Sequence, residues 1–222
     1  LYVHAPAGNI SIARNALLDQ AASLGAKFLA MIDDDEEVGA DWAHALLAEM
    51  TTTGADAVLG PVLARYRPAA PGWMTRAGLH DVRPVVQRSG EILTGFTGNV
   101  LLRLDSPHLR QRRFELAYGR TGGEDDAFFS GMVRDGGRIC YAPGAIAHEE
   151  VPPQRETLAF LLRRSFRAGQ THSRINAPDR PLGQAVLFLK AVGKVCALLG
   201  AAGVAALSPA RRTRALMRAS LH

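Results

Sequence analysis

The stretch Phe28-Leu29-Ala30-Met31-Ile32-Asp33-Asp34-Asp35-Glu36-Glu37 joins five uncharged residues to five acids without a break. An apolar run of this length, behind a helix-like segment, predicts a buried strand of a parallel sheet. Acids at the carboxyl end of such a strand stand where open α/β sheets bind ligands. Carboxylates this close cannot all stay ionised without a counter-charge. A divalent cation bridged to phosphate oxygens supplies one, because hard cations take oxygen ligands. The plainer alternative is that Asp33 to Glu37 cap the next helix, where the dipole favours acids. An isolated acidic run would be read that way; here it competes with the features on either side.

On the amino-terminal side, Asn9 to Leu24 reads as a helix with Ile10, Ala13, Leu17, Ala21 and Leu24 on one face. Ser11 is the expected cap and Gly25 the stop. Arg14 and Asn15 fall in its first turns, where an Arg can reach a nucleotide or diphosphate or simply lie on the surface. On the other side, Asp41 to Thr53 is a second helix, with Trp42, Leu46 and Met50 a turn apart. Ala57 to Tyr66 is a strand interrupted by Gly60-Pro61, which marks an edge or a bulge. Strand and helix alternating in this way indicate a parallel α/β sheet. Residues 67 to 95 are punctuated by Pro and Gly, with Trp73 and Met74 as large apolar residues in a loop, suited either to substrate or to packing on the core. Val82 to Leu93 suggests a hairpin around Arg88-Ser89-Gly90. Thr97-Gly98-Asn99 leads into a strand at Val100 to Arg103. The region Arg110 to Thr121 is charged and expected to be exposed.

A second acidic cluster follows about ninety residues after the first. Gly122-Gly123-Glu124-Asp125-Asp126 opens a helix whose apolar face is Phe128, Phe129, Met132 and Val133. Paired glycines let the backbone approach a ligand closely, and a carboxylate held there can serve as a general base. An acidic helix start is also common without any function. Arg138 to Ala142 and Ala145 to His148 are short strands. His148 could ligate a metal, although a lone His is more often structural.

The 222 residues, 47% hydrophobic and 21% charged, describe a globular chain of one substantial domain with an appendage. Cys140 and Cys196 offer neither metal spacing nor a disulfide framework, which points to a reducing compartment. No secretory signal opens the sequence. Leu1-Tyr2-Val3 reads as the tail of a strand, so amino-terminal βα units are expected to be missing from this chain. Charge is uneven: residues 155 to 222 carry 12 Lys and Arg against 2 Asp and Glu, leaving the remainder with 14 against 19. A basic, apolar tail suits an anionic membrane surface better than nucleic acid. Arg155 to Gly169 is an amphipathic helix. Val195 to Ala210 is uncharged but only 16 residues long, short of the ~20 needed to span a bilayer, and reads as interfacial or re-entrant. Arg211, Arg212, Arg214 and Arg218 would face an anionic cytoplasmic leaflet.

Taken in order, Asn9-Ile10-Ser11-Ile12-Ala13-Arg14-Asn15, Ile32-Asp33-Asp34-Asp35-Glu36, Gly60-Pro61-Val62, Gly123-Glu124-Asp125 and His148 resemble the family 2 glycosyltransferases, which have the GT-A fold. Among these the chain looks most like bacterial exopolysaccharide glucosyltransferases of the succinoglycan-biosynthesis type. The resemblance covers residues 1–175. It implies a GT-A-type, mostly parallel sheet flanked by helices, with residues 176–222 as a helical, membrane-associated tail. It implies an inverting transferase that moves a sugar, glucose by analogy, from a UDP-sugar to a lipid-linked saccharide at the cytoplasmic face of the inner membrane. By the same resemblance, Asp33 would face the ribose. Asp34 or Asp35 would hold Mg²⁺ or Mn²⁺ on the diphosphate, with His148 completing the shell. Asp125 would be the base, and Arg14 would contact the nucleotide. Arg163, Arg164 and Arg167 would lie near the leaving diphosphate, and Trp73 and Glu124 would meet the acceptor. No residue of this chain is assigned to base recognition. Two other readings remain open here: a sugar-phosphate nucleotidyltransferase, and a non-catalytic scaffold or degenerate transferase.

Overall fold

The structure, a computed structural model, describes His4, residues 8–176, Gly183, residues 185–186, 188–189 and 191–194, and Met217. The chain divides into two compact units, one of residues 1–63 and 81–149, the other of residues 64–80 and 150–222. The expected strand at Leu1-Tyr2-Val3, the run Val195 to Ala210 and the arginines Arg211, Arg212, Arg214 and Arg218 lie outside the described residues.

In the first unit, helix α1 (Ile10–Ser23) leads to strand β1 (Phe28–Ile32), then β2 (Glu36–Val38), α2 (Trp42–Thr53), β3 (Ala57–Leu59) and the start of β4 (Val62–Arg65), whose last two residues belong to the second unit. The unit continues with β5 (Asn99–Arg103), α4 (Glu124–Arg134), β6 (Ile139–Tyr141) and β7 (Ala147–Glu150), while α3 (Gly72–Ala77) and α5 (Leu158–Asn176) belong to the second unit. The main sheet has four strands in the order β1-β5-β3-β6. The expectation of a mostly parallel sheet needs correction. β5 pairs antiparallel with both β1 and β3, and only β3 and β6 pair in parallel. The strands β1, β3 and β6 do share one direction, but the reversed β5 separates β1 from β3.

Both faces of this sheet are covered. Ala57, Leu59, Val100 and Leu102 pack with Leu18 of α1 and with Phe128, Phe129 and Met132 of α4. Val58 and Leu101, pointing the other way, pack with Leu46 and Met50 of α2. This is the period-two alternation of a strand with an apolar layer on either side. Each fully buried side chain of this kind stabilises the fold by roughly 1.5–3 kcal/mol.

Two local expectations also change. α1 is capped by Asn9, whose side chain accepts from the Ser11 N–H; Ser11 instead donates its hydroxyl to the Glu115 carbonyl. Its buried face is Ser11, Arg14, Leu18 and Ala21, while Ile10, Leu17 and Leu24 are exposed. The apolar periodicity misled because a charged residue, Arg14, is buried against carboxylates. In the supposedly exposed stretch after Arg110, Phe114 is buried and stacks on Phe128 with ring centroids 4.1 Å apart. The hairpin around Gly90 is present: Val86 bridges Ile92, and the Gln87 N–H donates to the Glu91 carbonyl.

In the second unit, Trp73 and Met74 sit on α3 rather than in a loop, with Met74 buried and Trp73 half-buried. His80 is buried there, stacked on Phe160. Its Nε2 faces the Arg155 carbonyl at 3.1 Å and its Nδ1 the Tyr66 hydroxyl at 2.9 Å. A carbonyl can only accept, so Nε2 carries the proton and Nδ1 accepts from Tyr66. Among the described residues no helix is long and apolar enough to cross a membrane.

The break between β3 and β4 is a close approach of backbones. An added Cβ at Gly60 would lie 2.2 Å from the Ala145 carbonyl oxygen and 2.4 Å from Asn99 Nδ2. Gly60→Ala should therefore destabilise the protein by ~1–3 kcal/mol, lowering Tm by about 2–4 °C per kcal/mol. An unchanged melting curve would contradict this packing.

Candidate active site

The site is assembled by the residues just ahead of β5. Asn99 starts that strand fully buried. Its Nδ2 donates to the carbonyls of Pro61 and Ala145, and its Oδ1 accepts from Trp42 Nε1. The preceding Gly98 lies under the acidic turn. An added Cβ there would be 2.7 Å from Glu36 Oε1 and 3.2 Å from Asp33 Oδ2. Thr97, one residue earlier, holds Asp125. Its N–H donates to Oδ2 at 3.1 Å, and its hydroxyl reaches Oδ1 at 3.1 Å and Oδ2 at 3.2 Å. Three consecutive residues thus connect the two acidic clusters that the sequence shows ninety positions apart.

The acidic run does not cap a helix. Asp34 and Asp35 form a tight turn, closed by the Glu36 N–H donating to the Asp33 carbonyl, between β1 and the short β2. Asp33, Asp34 and Asp35 are all exposed. Asp33 is exposed as a residue, but its carboxyl is partly desolvated against the surrounding protein, which raises its pKa; Arg14 opposes this, and Asp35, Asp34 and Glu124 add to it. Glu36 is pushed up to about 7, first by burial, with Asp33, Glu149 and Asp35 adding repulsion against the bond it accepts from the Asp33 N–H.

At the second cluster, Gly123 adopts φ 105° as the residue before α4, a conformation that favours glycine. Glu124 and Asp125 then occupy the first turn. Arg14 Nη1 donates to Glu124 Oε1 at 2.5 Å and to Asp125 Oδ1 at 2.8 Å. Arg14 is therefore neither a surface residue nor fully free for a nucleotide; its side chain is 8% accessible. The Asp125 pKa rises to about 6 because burial disfavours the charge and Glu124 repels it, against the stabilising Arg14 and Thr97 contacts. Such a carboxylate can accept a proton near neutral pH. Thr94 fixes the next acid by donating to Asp126 Oδ1 at 2.7 Å.

The remaining expected residues are placed as follows. His148 lies on β7, in register with Glu37 of β2 and so on the ladder that carries the acidic turn. Among the described residues, no three His, Cys, Asp or Glu side chains gather into a metal cage. The donor set of Asp34 and Asp35 still fits a hard cation that takes one or two carboxylates and completes its shell from phosphate. Arg163, Arg164 and Arg167 are exposed on α5, and Trp73 is on α3, both in the second unit. Thr97 and Gly98 carry no functional signal of their own in the sequence, and Glu36 stands there only as a member of the acidic run. A Thr-Gly-Asn run before a strand was the available signal, but its partner lies 28 residues away.

Residues 1–118 match the domain described as Glycosyl transferase family 2. The chain belongs to this family. Over 223 residues it is 49% identical to the succinoglycan biosynthesis protein ExoM of Rhizobium meliloti (strain 1021), covering all of this chain and 71% of that protein. This family 2 chain also resembles in fold a mannosyltransferase from Pyrobaculum calidifontis, solved in complex with GDP-Man and Mn²⁺. The likeness has a TM-score of 0.51 at 17% identity, and covers 93% of this chain and 63% of that one.

The raised Asp125 pKa has a consequence for stability. The folded state holds this proton more tightly than the unfolded state, so Asp125 detracts from stability once pH rises above the ordinary carboxylate range, and does so fully above about 6. Asp125→Asn removes that titration. Its stability relative to wild type should rise by roughly 2–3 kcal/mol between pH 4 and pH 7.5, read by urea unfolding. A difference independent of pH would show that Asp125 titrates normally.

Proposed function

We propose that this family 2 glycosyltransferase moves a sugar from a UDP-sugar to a hydroxyl of a saccharide acceptor, with inversion, and that Asp125 is the base. The observation that carries this reading is the Asp125 carboxylate, held by Thr97 and Arg14 with a pKa near 6, on the strand entry that also underlies the Asp33–Asp35 turn. Asp125 takes the proton of the acceptor hydroxyl as its oxygen attacks the anomeric carbon. The bond from that carbon to the diphosphate breaks, and the electron pair leaves with UDP. One displacement inverts the configuration, so an α-linked donor gives a β-linked product.

Asp33 faces the ribose in this reading. Asp34 and Asp35, with His148 on the adjoining ladder, hold Mg²⁺ or Mn²⁺, which when bound stabilises charge on the leaving diphosphate. The Mn²⁺ bound by the mannosyltransferase of similar fold supports a divalent cation here. The likeness to a succinoglycan biosynthesis protein supports an exopolysaccharide acceptor. We further take this acceptor to be lipid-linked and met at the cytoplasmic face of the inner membrane, and the donor sugar to be glucose.

Titration of UDP into the protein by calorimetry, with and without Mn²⁺, tests the donor side. Binding should require the metal and be lost in Asp35→Ala. Asp125→Asn should bind UDP normally yet lower transfer by at least ~10²-fold. Absent UDP binding would return the chain to the scaffold reading, and metal-independent binding would overturn the role given to Asp34 and Asp35. The membrane proposal is supported by exposed Val186, Phe188, Leu189 and Val192 beside Lys194, a pairing of apolar and basic groups suited to an interface. The full chain should float with liposomes containing anionic lipid, and a chain ended at residue 177 should not. Equal flotation would rule out the tail as the anchor.

A further inference from the structure

A single guanidinium nitrogen stands between two adjacent carboxylates at the start of α4. Arg14 Nη1 bonds to both Glu124 Oε1 and Asp125 Oδ1. The three side chains are shielded, at 8%, 10% and 23% accessible. Glu124 Oε2 is buried and has no hydrogen-bond partner. One positive charge thus serves two negative ones where water is scarce.

The groups facing this trio come from several elements. From the end of β1, Asp33 adds a third negative charge, which acts on both Arg14 and Glu124. From the segment ahead of β5, Thr97 contributes neutral donors to Asp125. From α4 itself, Asp126 is turned to Thr94. The Phe114 ring lies 5.6 Å from the Arg14 Cζ and brings no charge. Arg14 supplies the positive charge against this excess.

We propose that Arg14 is a positioning residue for the base: it holds Glu124 and Asp125 as a fixed pair of carboxylates and keeps the proton off Asp125 at neutral pH. The proposal rests on the glycosyl-transfer reading only in calling Asp125 a base. Two shielded carboxylates that share a site without a counter-charge retain one proton between them. Glu124 Oε2, which has no donor of its own, is an open acceptor for that proton. With Arg14 in place its positive charge lies against both carboxylates, and Asp125 is free to take the proton of an incoming hydroxyl. Glu124 and Arg14 thus act on Asp125 in opposite directions, so their removal should have opposite effects.

The test is titration of the full chain carrying ¹³C-labelled Asp carboxyls, followed by NMR, with Asp125 assigned through Asp125→Asn. It needs no substrate. Wild type should titrate with a midpoint of about 6. Arg14→Met should raise the midpoint by ~1–3 pH units. Arg14→Lys should raise it less, because the ammonium keeps the positive charge and loses only the fixed placement of the guanidinium. Glu124→Gln should lower it. A midpoint unmoved by Arg14→Met, or raised by Glu124→Gln, overturns the proposal. If Arg14→Met fails to fold by near-ultraviolet circular dichroism, Arg14→Lys and Glu124→Gln decide the matter alone. In transfer assays, the acid limb of kcat/KM should move with these midpoints. A uniform loss across pH, or a rise in donor KM with kcat unchanged, would instead make Arg14 a structural or nucleotide-contacting residue. Normal titration in a wild-type chain that transfers no sugar would sink the glycosyl-transfer reading and leave the charge arrangement standing.

Discussion

The carboxamide of Asn99 fixes the first unit. It is fully buried and makes three hydrogen bonds, accepting from Trp42 at the start of α2 and donating to the carbonyls of Pro61 and Ala145. One side chain thereby ties a helix start, the break between β3 and β4 and the connection from β6 to β7 to the first residue of β5. A buried amide left without these partners would be costly, so the arrangement is self-selecting. Gly98 and Thr97, next to it in the chain, inherit its placement. Gly98 then supports the acidic turn and Thr97 holds Asp125.

Two aspartates show how local partners decide what a carboxylate is for. Asp56 and Asp125 are both shielded, yet their pKa values move in opposite directions. Burial would raise Asp56, but it accepts from the Ser106 hydroxyl at 2.6 Å, the Arg138 N–H at 2.8 Å and Arg103 Nη2 at 2.8 Å, and these outweigh burial. Asp56 is fully partnered and joins β3, β5 and the residue before β6. Asp125 must share its Arg with Glu124 and is left protonatable. The same contrast separates the structural from the chemical part of the unit, and it matches the general trade of stability for function at active sites. The carboxylates of Asp33 and Glu36 fall on the chemical side, both raised by burial together with their acidic neighbours.

Much of this was legible in the sequence, and the remainder was hidden for identifiable reasons. The strand ending in acids, the helix opened by two glycines and the interruption at Gly60-Pro61 are local signals, and each stands where the pattern placed it. Strand direction is not local. The reversal of β5 follows from pairing with β1 and β3, which the alternation of strand and helix could not reveal. The buried face of α1 departs from its apolar periodicity because Arg14 counts as polar in any periodicity, while its burial depends on two acids more than a hundred residues away. Thr97 was hidden for the same reason: its function lies in a backbone N–H aimed at a distant helix. The acids stand at the strand end where the pattern places them, but the tight turn that carries the chain from β1 into the separate ladder of β2 and β7 is not visible in the pattern.

α1 packs on the neighbouring β1, but its hydrogen bonds to other elements reach residues that follow it at long range. Asn9 binds the Leu116 carbonyl, Ser11 that of Glu115, Asn15 exchanges bonds with Phe114, and Arg14 reaches Glu124 and Asp125, over sequence separations of 99 to 111 residues. Contacts this distant form late, because the entropy of closing the intervening loop comes before any reward. During synthesis at ~5–20 residues per second, α1 would wait several seconds for its partners to emerge. Arg14 has no carboxylate of α4 to meet until then. The site accordingly cannot form before α4 has emerged, and a fragment that ends ahead of Glu124 lacks it.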